Sequence, residues 1–485
     1  MKTKGVNHYT EAAMRAMKWH AGNLAKMNEC KFDTIAVHGV YSMQEALNFN
    51  QGSIIEPIYM SSSQAYRDSD EMEAALSYQI PTWCYSRIAN PTMYYLEGVL
   101  ALIEGYKTGH DCSCIATSSG MSAIQSAVEP FLMVDKKNPN QKMNFVATSQ
   151  VYGGTFQQFN VRKDEEHNIE WRKVINSNDI SEWENLIDEN TRFLYGEMPS
   201  NPGLAFFDLE KVAALAHKYG LPMIVDGTVA TPALMRPIAH GADIVIQSVT
   251  KTLATSGSSI VGAVIAKKNI VSKWGPEEMK ADFCMYLKTL PNRDNGPNIS
   301  PMNAFMALSD IRTLRSRIDQ ASQSTMKIAR FLEVHPHIEK IEYLGLESHP
   351  LHDLASRYMV LVDSEEDTGE KVNRYGHLMS FRIKGGAKAT RNVFDGFQRI
   401  WRATDLGRVK SVATIPAIST HSQQGEEGRK LADIPANLIR LCVGMEHPND
   451  IIADITQALE VLDGKEIVVT APEYSAGGAS SPTLM

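Results

Sequence analysis

DIVIQSVTK (243–251) decides the fold. Its first half is a short apolar, β-branched run, the pattern of a buried strand. Its second half turns polar and stops on Lys251. Upstream lie NFVATS (144–149), RFLYGEM (192–198) and PMIVDGT (222–228), and downstream lies SIVGAVIA (259–266), all of the same kind. Helical stretches separate several of these runs. LEKVAALAHKY (209–219) is one, with Asp208 as its expected N-cap and Gly220 as its expected C′ residue. Strands alternating with helices predict an α/β fold, a mostly parallel sheet covered on both faces.

The flanks read differently. Residues 1–72 look irregular apart from a helix around Tyr9–Met27, and they read as an arm. Asn303–His335 reads as one long helical region, with Ala307, Ile311, Leu314, Ile318 and Ala321 on one face. Beyond it, HLMSFRIKG (377–385), NLIRLCVG (437–444) and DIIADITQALEVL (450–462) predict a smaller α/β domain. The expected division is an arm over 1–72, a large domain over 73–302, a small domain over 303–465 and a disordered tail over 466–485.

Composition excludes several classes. Of the 485 residues, 48 are basic and 56 acidic, for a net charge of −8. That balance argues against a nucleic-acid or anionic-membrane surface. No apolar run reaches the ~18–20 residues of a membrane span, and the first residues lack the apolar core of a secretory signal. Six cysteines in so long a chain are too sparse for a disulfide scaffold, and only Cys112 and Cys114 are close. No zinc or other metal site is expected, and the reading is a reduced, cytoplasmic protein.

Four features carry chemistry. Lys251 ends a strand, with the Ser248 and Thr250 hydroxyls three and one residues before it; a desolvated amine there suits a Schiff base beside a phosphate. Asp226 ends PMIVD, where a carboxylate can hold a pyridinium nitrogen. Ser118-Ser119-Gly120-Met121 precedes a helix, and free N–H groups at a helix start bind phosphate. Tyr152 stands before Gly153-Gly154, where an aromatic ring can lie flat on a planar cofactor. Each also has an ordinary reading: a solvated lysine, an N-cap aspartate, a plain capped helix, a loop tyrosine. Together and in this order they suit pyridoxal 5′-phosphate at the carboxyl ends of strands in an open α/β sheet.

The chain also resembles a known family, the pyridoxal-phosphate enzymes of cysteine and methionine metabolism. The stretches that carry the resemblance are YSRIANPT (85–92), SSGMSA (118–123), YGGT (152–155), EMPSNP (197–202), VDGTVATP (225–232), RPIAHGADIVIQSVTK (236–251), SPMNAF (300–305), GLESHPLHDLA (345–355) and LIRLCVGMEHPNDIIADI (438–455). The resemblance implies the aspartate-aminotransferase-like fold. It implies that Lys251 carries the cofactor covalently and shuttles protons, with Tyr152 stacking on the ring and assisting. Asp226 pairs with the ring nitrogen, Gly120, Met121, Ser248 and Thr250 hold the phosphate, and Asn201 lies near the phenolic oxygen. Tyr85 and Arg87 reach the phosphate of a neighbouring subunit, so the active unit is at least a dimer and by analogy a tetramer. Arg440 binds the substrate α-carboxylate, with Asp405 and Thr420 beside it.

Such a site supports γ-replacement, in which sulfide or a small thiol displaces the acyl group of O-acetyl-L-homoserine or a related ester. It also supports γ-elimination from methionine or cystathionine, giving 2-oxobutyrate and ammonia. A cofactor-binding protein with little turnover is a third reading. YLGLESHPLHDLA (343–355), Lys410 and the segment after Lys251 lean toward the sulfhydrylases, and Gly153 stands where methionine γ-lyases typically carry cysteine. Departures cluster at the substrate end: Thr255-Ser256 replace a Gly-His pair, Asp405 replaces serine, and Ile415 and Ile418 replace the His and Ser of an H-P-A-S segment. An added carboxylate at 405 is expected to repel a substrate carboxylate unless it points away. His335, His337 and His421 read as scattered helix-end or loop histidines.

Overall fold

The computed structural model describes residues 5–80, 83–134 and 141–465. The tail expected over 466–485 and the first four residues of the arm lie outside the described residues.

Seven strands form the larger sheet: β1 (Cys112–Thr117), β2 (Met143–Thr148), β3 (Ile169–Val174), β4 (Thr191–Glu197), β5 (Met223–Asp226), β6 (Ile244–Gln247) and β7 (Gly262–Lys267). Their order is β1-β7-β6-β5-β4-β2-β3. β7 runs antiparallel to β1 and β6, and the other pairings are parallel. Side chains alternate between two apolar layers. Phe145 and Ala147, Phe193 and Tyr195, Ile244 and Ile246 enter one layer. Val146, Leu194 and Val245 enter the other. Burial on both faces is why these strands read as unbroken apolar runs rather than alternating ones.

A second sheet follows: β8 (Ile338–Glu342), β9 (Leu378–Ile383), β10 (Trp401–Arg402), β11 (Val412–Thr414) and β12 (Leu438–Cys442). Its order is β10-β11-β12-β9-β8, antiparallel except for the β10–β11 pair. The helix Leu314–Glu333 packs against β8 and against the helix Pro448–Leu459. Leu441, Ile439 and Phe381 share the apolar layer that holds Val225 and Val245, so the two sheets are joined by continuous packing.

Local differences from the sequence reading have physical reasons. β1 and β3 escape the apolar-run criterion because β1 is CSCIAT and β3 is IEWRKV, an edge strand whose Glu170 is exposed. The 303–335 helix is two helices, Pro301–Ile311 and Leu314–Glu333, broken at Arg312-Thr313. Ala307, Ile311, Leu314, Ile318 and Ala321 are all buried across that break. The arm is less irregular than expected: besides Val6–Asn28 it holds helices at Phe32–His38, Met43–Phe49 and Ser69–Leu76. Asp208 does precede the helix Leu209–Lys218, but its carboxylate caps nothing and instead accepts from the Tyr358 hydroxyl at 2.7 Å. Gly220 follows that helix at φ +65°. Among the described residues no helix is long and apolar enough to cross a membrane.

Candidate cofactor and substrate site

Strand ends bring the chemistry together. Thr117, Thr148, Glu197, Asp226 and Gln247 close β1, β2, β4, β5 and β6. The segments that follow carry Gly120, Tyr152, Asn201, Thr228 and Lys251. This is the carboxyl edge of a parallel sheet, where ligands of open α/β folds collect.

Ser119 caps the helix Gly120–Val128 in a reciprocal capping box with Ser122. A side chain at Gly120 has no room: a Cβ there falls 2.7 Å from the Ser248 hydroxyl oxygen. The helix start and Ser248 therefore face each other at close range, an arrangement that suits an anion. Met121 lies on the other side of that helix turn, with its sulfur 2.9 Å from the Cβ position of Gly154. The Ser248 backbone N–H donates to Thr228 Oγ1 at 2.8 Å. The Thr250 hydroxyl is engaged with Val261, donating to its carbonyl at 3.0 Å and accepting from its N–H at 2.9 Å.

Asp226 is buried, and its Oδ1 accepts from the Thr228 N–H at 3.0 Å. Burial raises its pKa to about 6, against the opposing hydrogen bonds from Thr228. Glu197 stands beside it in register across β4 and β5. Burial, followed by the charge of Asp226, pushes Glu197 well above the usual carboxylate range. Sequence reasoning quoted Glu197 within EMPSNP but gave it no role. Its two oxygens accept from the backbone N–H of Tyr152 and of Asn201, each at 2.7 Å. One carboxylate thus places two of the expected site residues.

Tyr152 starts the turn into Gly153-Phe156, and its ring remains 37% exposed. It meets His421 edge to face at 6.4 Å. His421 stands at the start of the short helix Ser422–Gln424, as the helix-end reading expects, but it is buried beside the site rather than scattered. Burial, with the charge of Arg440, lowers its pKa to about 4, and its Nδ1 pairs with the Thr420 hydroxyl at 2.8 Å. The Thr420 carbonyl in turn presses on Gly153, where a Cβ would fall 1.9 Å from its oxygen.

Arg440 lies in the middle of β12 with no exposed surface. Its Nη1 donates to Asn201 Oδ1 at 3.1 Å, and its Nη2 donates to the carbonyls of Thr404 at 2.9 Å and Asp405 at 2.7 Å. Among the described residues its Nε has no hydrogen-bond partner. A buried, unpartnered cationic donor is costly unless an anion joins it.

Lys251 Nζ donates to Asp405 Oδ1 at 2.6 Å. The second oxygen of Asp405 pairs with Arg408 Nε. Arg408 Nη1 donates to the carbonyls of Thr250 at 2.8 Å and Ala254 at 3.1 Å, on both sides of the lysine. Burial disfavours the Asp405 charge, but the hydrogen bond and charge of Lys251 and the charge of Arg408 outweigh it and hold the carboxyl below its ordinary pKa. Arg408 was missed because its role depends on folding back onto the 250–254 turn, which no spacing reveals. Lys410, two residues past Arg408, points elsewhere, over the Trp401 ring at 4.4 Å.

Two expected residues stand apart. Tyr85 is exposed, the Arg87 guanidinium lies 5.5 Å over its ring, and Arg87 also donates to the Arg293 carbonyl. Among the described residues no hydrogen bond or ion pair joins either to Lys251, Asp226 or Ser248.

The Cys/Met metabolism PLP-dependent enzyme family matches residues 33–460. The chain belongs to that family. Its cofactor is pyridoxal phosphate. Among relatives in this Cys/Met family, homocysteine synthase of Schizosaccharomyces pombe is 33% identical over 89% of this chain and 98% of its own length. An L-methionine γ-lyase of Fusobacterium nucleatum is 31% identical over 84% of this chain and 94% of its own. The crystal structure of a Campylobacter jejuni protein described as a putative O-acetylhomoserine (thiol)-lyase, holding a pyridoxyl-lysine phosphate, superposes with a TM-score of 0.76 at 30% identity, over 89% of this chain and all of that one. The residues present fit the cofactor. The capped helix start stands against Ser248, free N–H groups beside a hydroxyl that suit a phosphate, and Asp226 is a buried carboxylate that a cationic ring nitrogen would stabilise.

Proposed function

We propose that this chain catalyses γ-replacement on an O-acyl-L-homoserine, O-acetyl in the first instance, with sulfide or a small thiol as the incoming nucleophile. One observation carries the choice within the family: the Thr420 carbonyl lies 1.9 Å from the Cβ position of Gly153. A cysteine side chain, which the family resemblance associates with methionine γ-lyases at this place, does not fit on this backbone. The similarity to a homocysteine synthase supports the same reading.

Bound pyridoxal phosphate supplies an electron sink that lets the α and then the β carbon of an amino acid lose protons. In this reading Lys251 holds the cofactor covalently and afterwards moves the proton at Cα. Asp226 faces the ring nitrogen. Gly120, Met121 and Ser248 hold the phosphate, through backbone N–H groups at the helix start and the Ser248 hydroxyl; for Thr250 to join them its hydroxyl must leave the Val261 carbonyl. Tyr152, placed by Glu197, covers the ring, and Asn201 sits at its phenolic side. Arg440 takes the α-carboxylate through its unpartnered Nε and a neighbouring nitrogen. Thr420 lines the same end.

The reading includes self-association. Met43, Phe49, Ile54 and Met60 of the arm are 78%, 72%, 91% and 64% exposed, an apolar row that a second copy would cover. Tyr85 and Arg87, set apart from Lys251 within one chain, would then serve a neighbour's phosphate in a homo-oligomer, by analogy a tetramer. The arm over 1–72, the large domain over 73–302 and the small domain over 303–465 are its working parts. The six unpaired cysteines support a reducing, cytoplasmic setting.

The test uses purified protein with pyridoxal phosphate and O-acetyl-L-homoserine, with and without sulfide, and mass-spectrometric identification of products. Homocysteine formed only with sulfide is the expected result. The similarity to a methionine γ-lyase keeps elimination as the second reading. Ammonia and 2-oxobutyrate in both samples, with no thiol product, would establish it.

A further inference from the structure

Asp405 and Arg408 are the charged pair of this site that γ-replacement leaves without a task. We propose that Asp405 is a docking carboxylate for a cationic amine, and that its occupant in the working enzyme is the α-ammonium of the amino-acid substrate, whose α-carboxylate lies on Arg440. The proposal rests on the reading of Lys251 and Arg440 given above.

Three observations carry it. First, Asp405 already binds an ammonium: Lys251 Nζ sits 2.6 Å from its Oδ1. With that amine committed to the cofactor, Oδ1 keeps only the Leu406 N–H as a donor and is open to another cation. Second, the carboxylate is anchored and reachable. Arg408 grips its other oxygen while holding the Thr250 and Ala254 carbonyls, the Leu406 N–H donates to Oδ1 at 2.9 Å, and the side chain keeps 32% of its surface open. Third, the opposite charge is next door. Arg440 Nη2 donates to the backbone carbonyl of Asp405 itself at 2.7 Å. A guanidinium and a carboxylate side by side form the complement of an α-amino acid, whose ammonium and carboxylate share one carbon.

This arrangement also answers the repulsion expected from an added carboxylate. Asp405 does repel a lone substrate carboxylate, and an α-ammonium between the two groups reverses the sign. The site therefore selects zwitterions against 2-hydroxy and 2-oxo acids of the same shape.

The experiment is a calorimetric titration of the cofactor-loaded protein with two non-reacting ligands. N,N-dimethyl-2-aminobutanoate carries an ammonium N–H but, as a tertiary amine, cannot bond covalently to the cofactor. 2-Hydroxybutanoate has the carboxylate and no cation. The unmodified protein is expected to bind the ammonium ligand about tenfold more tightly or better, the scale of one charge-assisted hydrogen bond. Asp405→Asn, nearly isosteric, is expected to bring the two affinities within about twofold without weakening the hydroxy acid. Arg408→Gln, which frees Asp405 from its anchor, is expected to reduce the preference at least threefold and carries the test if Asp405→Asn does not fold. A purely structural role for Asp405 weakens both ligands in parallel. That result, or an unchanged preference in either variant, overturns the proposal. Failure of γ-replacement is read separately: absence of homocysteine with the preference intact removes that reaction and leaves the role of Asp405 standing.

Discussion

The two ends of the site are built by different means. At the cofactor end, position comes from backbone: strand termini, a capped helix start, and a glycine that admits nothing larger beside Ser248. At the substrate end, position comes from side-chain charge. Lys251, Asp405 and Arg408 form one chain of ion pairs, and Arg440 is tied to the Asp405 carbonyl and Asn201. Backbone geometry tolerates little variation without losing the sheet. A charge network can be rewired by exchanging a few residues, and Asp405, a departure from the family pattern, is a member of this one.

Mutations can break this contrast. The largest effect is expected for Lys251→Ala, with loss of borohydride-trappable cofactor and a fall in turnover of at least about 10³-fold. A variant that retains both trapping and turnover would mean that the strand-end lysine is not the attachment point. Arg440→Lys comes next. A lysine cannot replace a buried fork, so KM is expected to rise about 100-fold with the cofactor spectrum unchanged; equal loss of cofactor would place Arg440 in the cofactor end instead.

Asp226→Asn sharpens the contrast through pH. The folded chain holds the Asp226 proton to about pH 6, above its ordinary value of 3.8. Stability tied to this group is therefore present at low pH and lost as pH rises through about 6. In the cofactor-free protein, Asp226→Asn is expected to be more stable than the parent at pH 8 by roughly 1–3 kcal/mol and equal to it near pH 4. Cofactor affinity should fall in the same variant. Urea unfolding at the two pH values checks the first part, and equilibrium dialysis of the cofactor the second. For Gly153→Ala the effect falls on stability: the Thr420 backbone must move to admit a Cβ, which is expected to cost about 3 kcal/mol or more, read by thermal unfolding.

How much of this was legible in sequence follows the same division. Buried strands of the larger sheet announce themselves because both faces are apolar, and β2, β4, β5, β6 and β7 were read directly. β1 and β3 were not, since cysteines and serine dilute one and charges line the edge of the other. Lys251 and Asp226 were suspected because strand ends are visible in the pattern. Asp405 was read as a departure beside the substrate carboxylate, and its partner Arg408 was not seen at all. Glu197 was quoted without a role because its work is done on backbone N–H groups of Tyr152 and Asn201, which leave no trace in residue spacing. His421 reads as a helix-end or loop histidine, and it does start the short helix Ser422–Gln424; its burial against the Tyr152 ring is what spacing does not show.

Arg408 also sets a rule for anyone redesigning this pocket. Its guanidinium reaches across to the carbonyls of Thr250 and Ala254, so the loop that begins at Thr404 and the turn that bears Lys251 behave as a single exchangeable part. A graft that brings in a new substrate loop without Arg408 leaves two carbonyls beneath the lysine without their donor. A graft that keeps Arg408 but resets residue 405 leaves the guanidinium without its counter-ion. Libraries that vary the two segments together should yield folded, cofactor-loaded clones more often than libraries that vary either one, even though the segments are far apart in the chain.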